Sequence, residues 1–171
     1  ISQNVLFKID SLKQEELLQF PKRPLLAAGE IISLNVGVWA FDRYVIDGHY
    51  AYISWKTMKN NLKKGFYLDN DNFSTNLFNH PYHGSLYHNA ARSNGMNYWQ
   101  SGLFAFGGSL MWELFMECEL PSTNDLIMTT GGGMAVGEVL FRASDLVLDN
   151  RTRGNNRLGR EALGFLLSPA R

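Results

Sequence analysis

Four glycines within one helix-like segment restrict the folds open to this chain. Gly131, Gly132, Gly133 and Gly137 lie in residues 123–148, which otherwise have the pattern of a helix that begins at a Ser122-Thr-Asn-Asp capping signal. Each mid-helix glycine costs about 1 kcal/mol relative to alanine, so the segment needs a compensating gain. Close approach of a second helix is the simplest such gain. We therefore expect a tight helix crossing at these glycines.

The remainder of the chain also favours helices. No window alternates between apolar and polar residues at period two, so strands are not predicted. Helix start and stop signals predict a short helix at Ser11, capping of another by Asn79, and helix ends at Gly65 and Gly95. The main helices are predicted at residues 25–45, 50–62, 79–93, 98–119, 123–148 and 158–167. The first is apolar on nearly every side, which predicts burial on most sides.

These segments define a fold class. We predict an all-α protein, a compact bundle of five or six helices with two strongly apolar central helices and glycine-mediated close packing. A chain of 171 residues with 45% hydrophobic residues is long enough for one domain with a core. We divide the single domain 1–171 into an N-terminal arm (1–23), a helical core (24–148) and a C-terminal loop with a short helix (149–171).

Charge and cysteine content exclude several classes of protein. Lys plus Arg and Asp plus Glu are 16 each, so the chain lacks the basic surface that binds nucleic acid. The single cysteine, Cys118, cannot form a disulfide within the chain. The longest uncharged stretch, residues 93–112, is too polar in its first half to cross a membrane. We therefore predict no independent transmembrane helix.

A series of motifs resembles a known family. The motifs occur in this order: His80-Pro-Tyr-His-Gly84, Ala90-Ala-Arg-Ser-Asn-Gly95, Gly108-Ser-Leu-Met-Trp-Glu113, Pro121-Ser-Thr-Asn-Asp125, and Gly132 followed by Gly137-Glu138 and Arg142. Over about residues 66–165 the chain is similar to a bacterial domain-of-unknown-function family of predicted exported cell-envelope proteins. The resemblance implies a location in the periplasm or at the outer membrane, and it supplies no catalytic residues. It also implies that the helical domain often belongs to a longer chain, which leaves open that this chain is a fragment.

Two histidines and two glutamates form the candidate site. His80 and His83 lie one helical turn apart, and Glu113 and Glu117 are four residues apart on the helix predicted at 98–119. Two imidazoles and one or two carboxylates could hold zinc or iron, or could act as acids and bases in catalysis. Two histidines at this spacing are also common in purely structural positions, and no standard metal-binding motif is present. We favour no cofactor, with zinc or iron at His80 and His83 as the alternative.

A structural ion-pair network is the other interpretation of the charged residues. A buried Glu113 or Glu117 needs a partner or a raised pKa, and Arg92 and Arg142 are the available cations. Glu138 and Arg142 have the favourable spacing for a pair on one helix, and Asp145 extends that row. We favour a network of Arg92, Glu138, Arg142 and Asp145 that neutralises a buried carboxylate.

Two functions from different classes follow. The favoured one is a non-enzymatic cell-envelope module that docks on an outer-membrane protein or on lipid. This function predicts a large exposed apolar surface on the isolated domain. The alternative is a metal-dependent or acid–base hydrolase acting on envelope lipid or cell-wall material. It predicts a pocket where His80, His83, Glu113 and Glu117 meet.

Overall fold

The computed structural model describes residues 21–70, 72–148 and 153–170. The helix predicted at Ser11 and residues 149–152 of the predicted C-terminal loop lie outside these ranges. Within them the chain forms six continuous helices and no strand, which confirms the all-α prediction. The helices are α1 (Pro24–Ile46), α2 (Trp55–Lys64), α3 (75–93), α4 (98–116), α5 (123–147) and α6 (Asn155–Leu167).

Four of the six helices contain a π-helical segment. These segments are Asp42–Ile46 at the end of α1, Thr75–Asn79 at the start of α3, Trp112–Met116 at the end of α4, and Met128–Gly132 within α5. A π-helical turn is rare because its hydrogen bonds are less favourable than those of an α-helix, and it often lies at a functional site. Nothing in the sequence analysis predicted these segments.

Side-chain caps explain where several helices begin. The Ser122 hydroxyl accepts a hydrogen bond from the backbone N–H of Asp125 at 3.2 Å, which confirms the predicted start of α5. Ser54 and Asn97 form capping boxes at the starts of α2 and α4. Gly65 and Gly95 follow α2 and α3 with φ of 71° and 82°, a conformation that favours glycine.

Several predicted helix boundaries are wrong. The helix predicted from residue 50 begins at Trp55, because Ser54 caps it there, and the helix predicted from residue 158 begins at Asn155. Asn79 does not cap α3, because its backbone is helical and the π-helical segment 75–79 already precedes it. The helix predicted to reach residue 119 ends at Met116, and Glu117 is extended with φ of −134° and ψ of 155°. Glu113 and Glu117 therefore do not share a helix face, although they remain neighbours.

The predicted tight crossing lies between α3 and α5. A Cβ atom added to Gly84 of α3 would lie 1.7 Å from the carbonyl oxygen of Thr129, and one added to Gly133 of α5 would lie 2.4 Å from the carbonyl carbon of Gly84. Both distances are far shorter than any van der Waals contact, so only glycine allows this approach. Glycine-mediated close packing is thus confirmed at this crossing. At Gly131, by contrast, an added Cβ would meet no atom of the described residues within 4 Å apart from the adjacent residues and backbone of its own helix.

The helix α1 packs on one narrow stripe, which corrects the prediction that it is buried on most sides. Its buried residues are Ala27, Ile31 and Asn35, spaced four apart, and this stripe meets α3 and α4. The opposite face of α1 is exposed because no described element covers it. By length and composition alone, α1 could cross a bilayer, and only 17% of its apolar window is buried. Length and composition alone do not show a membrane crossing, so our prediction of no independent transmembrane helix stays a prediction.

The distribution of polar and apolar side chains is unusual for an isolated domain. The buried apolar side chains are few and mostly small. Fully buried polar residues include Asn35, Asn61, His88, Asn89 and Glu113, whereas many large apolar residues are exposed. Several of these exceed 70% exposure: Leu25, Tyr44, Trp55, Leu68, Phe73, Trp99, Leu103, Leu146 and Leu166. Such extensive apolar surface normally marks an interaction site.

Candidate functional site

An acidic cleft of about 640 Å³ lies where the ends of α1 and α4 meet the starts of α3 and α5. It contains three of the four candidate catalytic residues, His80, His83 and Glu117. Its other lining residues are Val38, Asp42, Tyr50, Asp69, Thr75, Asn79, Tyr82, Leu86, Trp112, Glu119, Leu120 and Asp125. We call this cavity the acidic cleft.

The four π-helical segments converge on the acidic cleft. Asp42, Thr75 and Trp112, from three of these segments, line it. The fourth contributes Thr129, whose hydroxyl lies 3.2 Å from Nδ1 of His80. Each irregular turn therefore places a side chain in or next to the cleft. This convergence is typical of a functional site rather than of a uniform helical bundle.

The loop before α3 is held against the start of α5, which brings Asp69 to the cleft. The backbone N–H of Tyr67 donates to the carbonyl of Pro121 at 3.0 Å, and the carbonyl of Tyr67 accepts from Thr123 at 2.8 Å. The N–H of Asp69 then donates to Oδ1 of Asn124 at 3.1 Å. These bonds fix the loop without any strand partner beyond a single β-bridge.

The two histidines occupy different surroundings. Nε2 of His80 lies 3.3 Å from Oδ1 of Asp125, so His80 links α3 to α5. His83 packs its ring against Tyr87 and Trp112, with ring centroids 4.7 and 5.0 Å apart. Burial, reinforced by the charge of His80, lowers the pKa of His83 to about 4. His83 is therefore a neutral imidazole at physiological pH.

Glu113 and Glu117 form a hydrogen-bonded carboxyl pair at the inner wall of the cleft. Glu113 is 1% exposed and accepts a hydrogen bond from the backbone N–H of Ser122 at 2.8 Å. The two carboxyl groups also hydrogen-bond each other. Burial is the main cause that raises the pKa of both groups, and their mutual repulsion adds to the shift of Glu117. Because two like charges cannot both be accommodated there, the pair holds a proton near neutral pH.

A buried asparagine supports this carboxyl pair from behind. Asn61 of α2 is fully buried, and its Nδ2 donates to the backbone carbonyls of Glu113 and Glu117 at 3.3 and 3.2 Å. These bonds occupy the carbonyls that the end of α4 leaves without a helical partner. Asn61 therefore holds the turn on which both glutamates sit.

The charge of the cleft limits what it can bind. Asp42, Asp69, Glu117, Glu119 and Asp125 line it, and no Lys or Arg is among its described lining residues. Such a field opposes anions and favours neutral or cationic ligands. A protonated carboxyl pair and a neutral histidine in one cavity can exchange protons with a bound ligand.

The residues present do not form an obvious metal centre. Both ring nitrogens of His80 face protein partners, Asp125 and Thr129, and Nε2 of His83 is 2.8 Å from the Tyr87 hydroxyl. Across the ranges that the structure describes, no group of three His, Cys, Asp or Glu side chains has the arrangement to hold a metal ion. Zinc or iron at His80 and His83 stays a prediction from the sequence.

The charged network lies away from the cleft, between α3 and α5. Glu138 is bound by Nε of Arg92 at 2.9 Å and by Nε of Arg142 at 2.8 Å. The buried His88 adds a contact to Glu138 at 3.3 Å, which the sequence analysis did not anticipate. Asp145 is exposed on α5, about two turns beyond Glu138. Burial raises the pKa of Glu138, but hydrogen bonds and the charge of Arg92 outweigh it, so the net shift is downward.

Our expectation that Arg92 or Arg142 neutralises Glu113 is wrong. Both guanidinium groups bind Glu138, and the Arg142 side chain is 72% exposed. Glu113 instead relies on a backbone N–H and on the proton that it shares with Glu117. The sequence shows charges and spacing along a helix, but it does not show which carboxylate a given arginine will reach.

Several residues of the site were not predicted from the sequence. Tyr87 lies four residues after His83, a spacing that places both on one helix face and could have indicated the contact. Asn35 is a polar residue inside the apolar run of α1, which was also a usable signal. The capping signal at residues 122–125 gives no sign that Asp125 also contacts His80. Asn61 offered no signal, because nothing local distinguishes it from Asn60.

Together these features define an all-α helical domain with a glycine-packed core crossing, an acidic cleft and a largely exposed apolar helix. A family model described as Domain of unknown function (DUF3943) matches residues 65–170, and the chain belongs to that family. The match covers α3 to α6 and most of the cleft, whereas α1 precedes it. No curated protein and no solved structure matches the chain.

Proposed function

We propose that this chain is a cell-envelope module that docks on a lipid surface through α1 and α4 and catalyses no reaction. The main support is the exposure of α1: this apolar helix has 23 residues, and only 17% of its apolar window is buried. The location, periplasmic or at the outer membrane, is taken from the resemblance to exported envelope proteins. The chemistry of the exposed face favours lipid as the occupant.

The face that we assign to lipid is continuous across two helices. Ile32 and Val36 of α1 and Trp99, Leu103 and Phe106 of α4 are exposed on it by 43–74%. We call these five residues the docking face. Between them runs a groove of about 420 Å³ whose lining residues are all apolar or glycine: Ala28, Ile31, Ile32, Leu103, Phe104, Gly107, Gly108 and Met111. A groove without a polar side chain suits an acyl chain better than a peptide backbone, which needs hydrogen-bond partners.

The packing of α1 favours docking parallel to the membrane over crossing it. Asn35 of α1 contacts Tyr87 of α3 and the carbonyl of Gly108 of α4. If α1 crossed a bilayer, either these buried polar bonds would break or α3 and α4 would enter the hydrocarbon with it. An in-plane position keeps the bonds and buries the outer face, as interfacial helices do.

Sedimentation with phosphatidylethanolamine–phosphatidylglycerol vesicles tests this proposal. We expect the chain to bind, and binding to persist at high salt because the net charge is zero and the contact is apolar. Leu103→Asp should weaken binding by at least about 30-fold, since burying one leucine is worth about 2 kcal/mol.

The matched control is Leu146→Asp. Leu146 is 86% exposed on α5 and does not line the groove, so this variant should bind vesicles like the unaltered chain. Equal loss in both variants, or no vesicle binding by the unaltered chain, would overturn lipid docking. The second result would leave an envelope or outer-membrane protein as the partner.

A second candidate function is favoured by the acidic cleft. We propose as the alternative that the cleft performs acid–base hydrolysis of a neutral or cationic envelope-lipid or cell-wall substrate. In that reaction Glu117, backed by Glu113, would donate a proton to the leaving group, and His83 would accept one from the attacking water. The support is that His80, His83 and Glu117 line one cavity, with Glu113 bonded to Glu117.

A hydrolase screen with cell-wall fragments, phospholipids and simple esters tests the alternative. Turnover should disappear in His83→Ala and in Glu117→Gln but persist in His49→Ala, whose histidine is exposed and does not line the cleft. Absence of turnover in the unaltered chain, or turnover unaffected by the two cleft variants, would contradict it.

A further inference from the structure

A buried asparagine on α1 has a fixed amide orientation. Asn35 is fully buried, and its Nδ2 donates to the carbonyl oxygen of Gly108 at 3.1 Å. A carbonyl oxygen can only accept, so the amide cannot be flipped without losing this bond. Oδ1 of Asn35 therefore faces the other way, toward the hydroxyl of Tyr87.

The hydroxyl of Tyr87 has one proton and two neighbours. It hydrogen-bonds to Oδ1 of Asn35, and its oxygen lies 2.8 Å from Nε2 of His83. Oδ1 of Asn35 can only accept, so the tyrosine proton is donated there. The tyrosine oxygen is then left to accept, and Nε2 of His83 must carry the hydrogen in that bond. Burial raises the pKa of Tyr87 well above its ordinary value, which keeps this proton in place.

The other ring nitrogen of His83 is then the basic one. With a hydrogen on Nε2 and a neutral ring, Nδ1 keeps its lone pair. No residue in the described ranges hydrogen-bonds to Nδ1, and this atom is not among the sealed polar atoms of the structure. His83 lines the acidic cleft, so the accessible side of its ring opens into that cavity.

We propose that Asn35 is a positioning residue that acts through Tyr87 to hold His83 in the Nε2–H form, with Nδ1 presented to the cleft as a proton acceptor. The inference rests on the acid–base function proposed as the alternative for the cleft, and it names the accepting atom. It also links α1 to the cleft, since Asn35 lies on the inner stripe of the helix whose outer face carries part of the docking face.

Long-range ¹H–¹⁵N correlation of the histidine side chains at neutral pH reads the tautomer directly. In the unaltered chain His83 should carry its hydrogen on Nε2. In Asn35→Leu the tyrosine proton has no acceptor on α1, so it turns to Nε2 of His83 and the Nδ1–H form should become dominant. Asn35→Asp keeps an acceptor for Tyr87 and should keep the Nε2–H form.

Removing the Tyr87 hydroxyl shows whether a tautomer change in Asn35→Leu comes from the hydrogen bonds of Tyr87 or from a general packing defect. The double variant Asn35→Leu/Tyr87→Phe has no hydroxyl that donates to Nε2 of His83. Nothing then holds the hydrogen on Nδ1, so His83 should return to the Nε2–H form. Tyr82→Phe is the control, because Tyr82 lies on the same helix and lines the same cleft but is 51% exposed. It should leave the tautomer unchanged.

If Asn35→Leu does not fold, Tyr87→Phe alone still decides the question. The Nε2–H of His83 should exchange slowly with solvent in the unaltered chain and at least tenfold faster in Tyr87→Phe. An Nδ1–H form in the unaltered chain, an unchanged tautomer in folded Asn35→Leu, or unchanged exchange in Tyr87→Phe would overturn the proposal. If the tautomers are as predicted but no substrate is turned over, the hydrolase function is refuted, whereas the positioning of His83 by Asn35 and Tyr87 is confirmed.

Discussion

Two glycines separated by one residue on α5 should respond in opposite ways to the same substitution. A Cβ added at Gly131 would meet no other described part of the chain within 4 Å, whereas at Gly133 it would lie 2.4 Å from the carbonyl carbon of Gly84. Gly131→Ala gains the usual preference of alanine over glycine, about 0.5–1 kcal/mol. Gly133→Ala gains the same preference but must also separate α3 from α5.

The size of the second effect follows from the geometry. Carbon atoms in contact lie about 3.5–4.0 Å apart, so a Cβ at 2.4 Å requires a shift of about 1 Å or more between two backbones. Overpacking of this kind costs about 1–3 kcal/mol, and more where backbone must move. We expect Gly133→Ala to lower the free energy of unfolding by about 2 kcal/mol, and the two variants to differ in this free energy by about 3 kcal/mol.

Thermal unfolding followed by circular dichroism measures the stability change in both variants. For a domain of this size a difference of about 3 kcal/mol corresponds to about 6–12 °C in Tm, with Gly131→Ala above the unaltered chain and Gly133→Ala below it. Equal shifts of the same sign in the two variants would refute the tight crossing of α3 and α5.

Other predictions concern the two charged clusters. Because the pKa values of Glu113 and Glu117 are raised above the ordinary 4.5, the folded chain retains protons that the unfolded chain releases, so this pair should make Tm fall as pH rises from about 5 to about 8. Differential scanning calorimetry should show a smaller fall of Tm over this pH range in Glu117→Gln than in the unaltered chain. An equal fall would contradict the buried carboxyl pair. Arg142→Ala should cost less than about 1 kcal/mol in urea unfolding because that side chain is 72% exposed. Arg92→Ala should cost about 2–3 kcal/mol because a half-buried Glu138 loses two hydrogen bonds; the reverse order would refute our assignment of the network.

Local chemistry accounts for what the sequence predicted well. Gly133 has a cost that close packing offsets, and the Ser122 cap and the Gly65 end are set by residues within one helical turn. These signals are local, so α5, the end of α2 and the all-α class were predictable. The crossing partner, Gly84, was not, since a single glycine beside His83 gives no sign of what lies opposite.

Long-range arrangement accounts for what the sequence could not predict. The apolar residues on all sides of α1 indicated burial. Composition does not show whether such a helix is covered by other helices of the same chain or by a lipid or protein partner. Within the described ranges nothing covers the outer face of α1. The acidic cleft was anticipated only as a meeting of His80, His83, Glu113 and Glu117. Its shape depends on four π-helical turns, which have no sequence signature that we can identify.

The most direct measurement of the lipid-docking proposal is the environment of the docking face on vesicles. An environment-sensitive fluorophore attached at Leu103→Cys, in a chain where Cys118 is replaced by serine, should be quenched by vesicles that contain brominated acyl chains. The same label at Leu146→Cys should be unaffected. Quenching at both positions, or at neither, would contradict the assignment of the α1–α4 face to lipid.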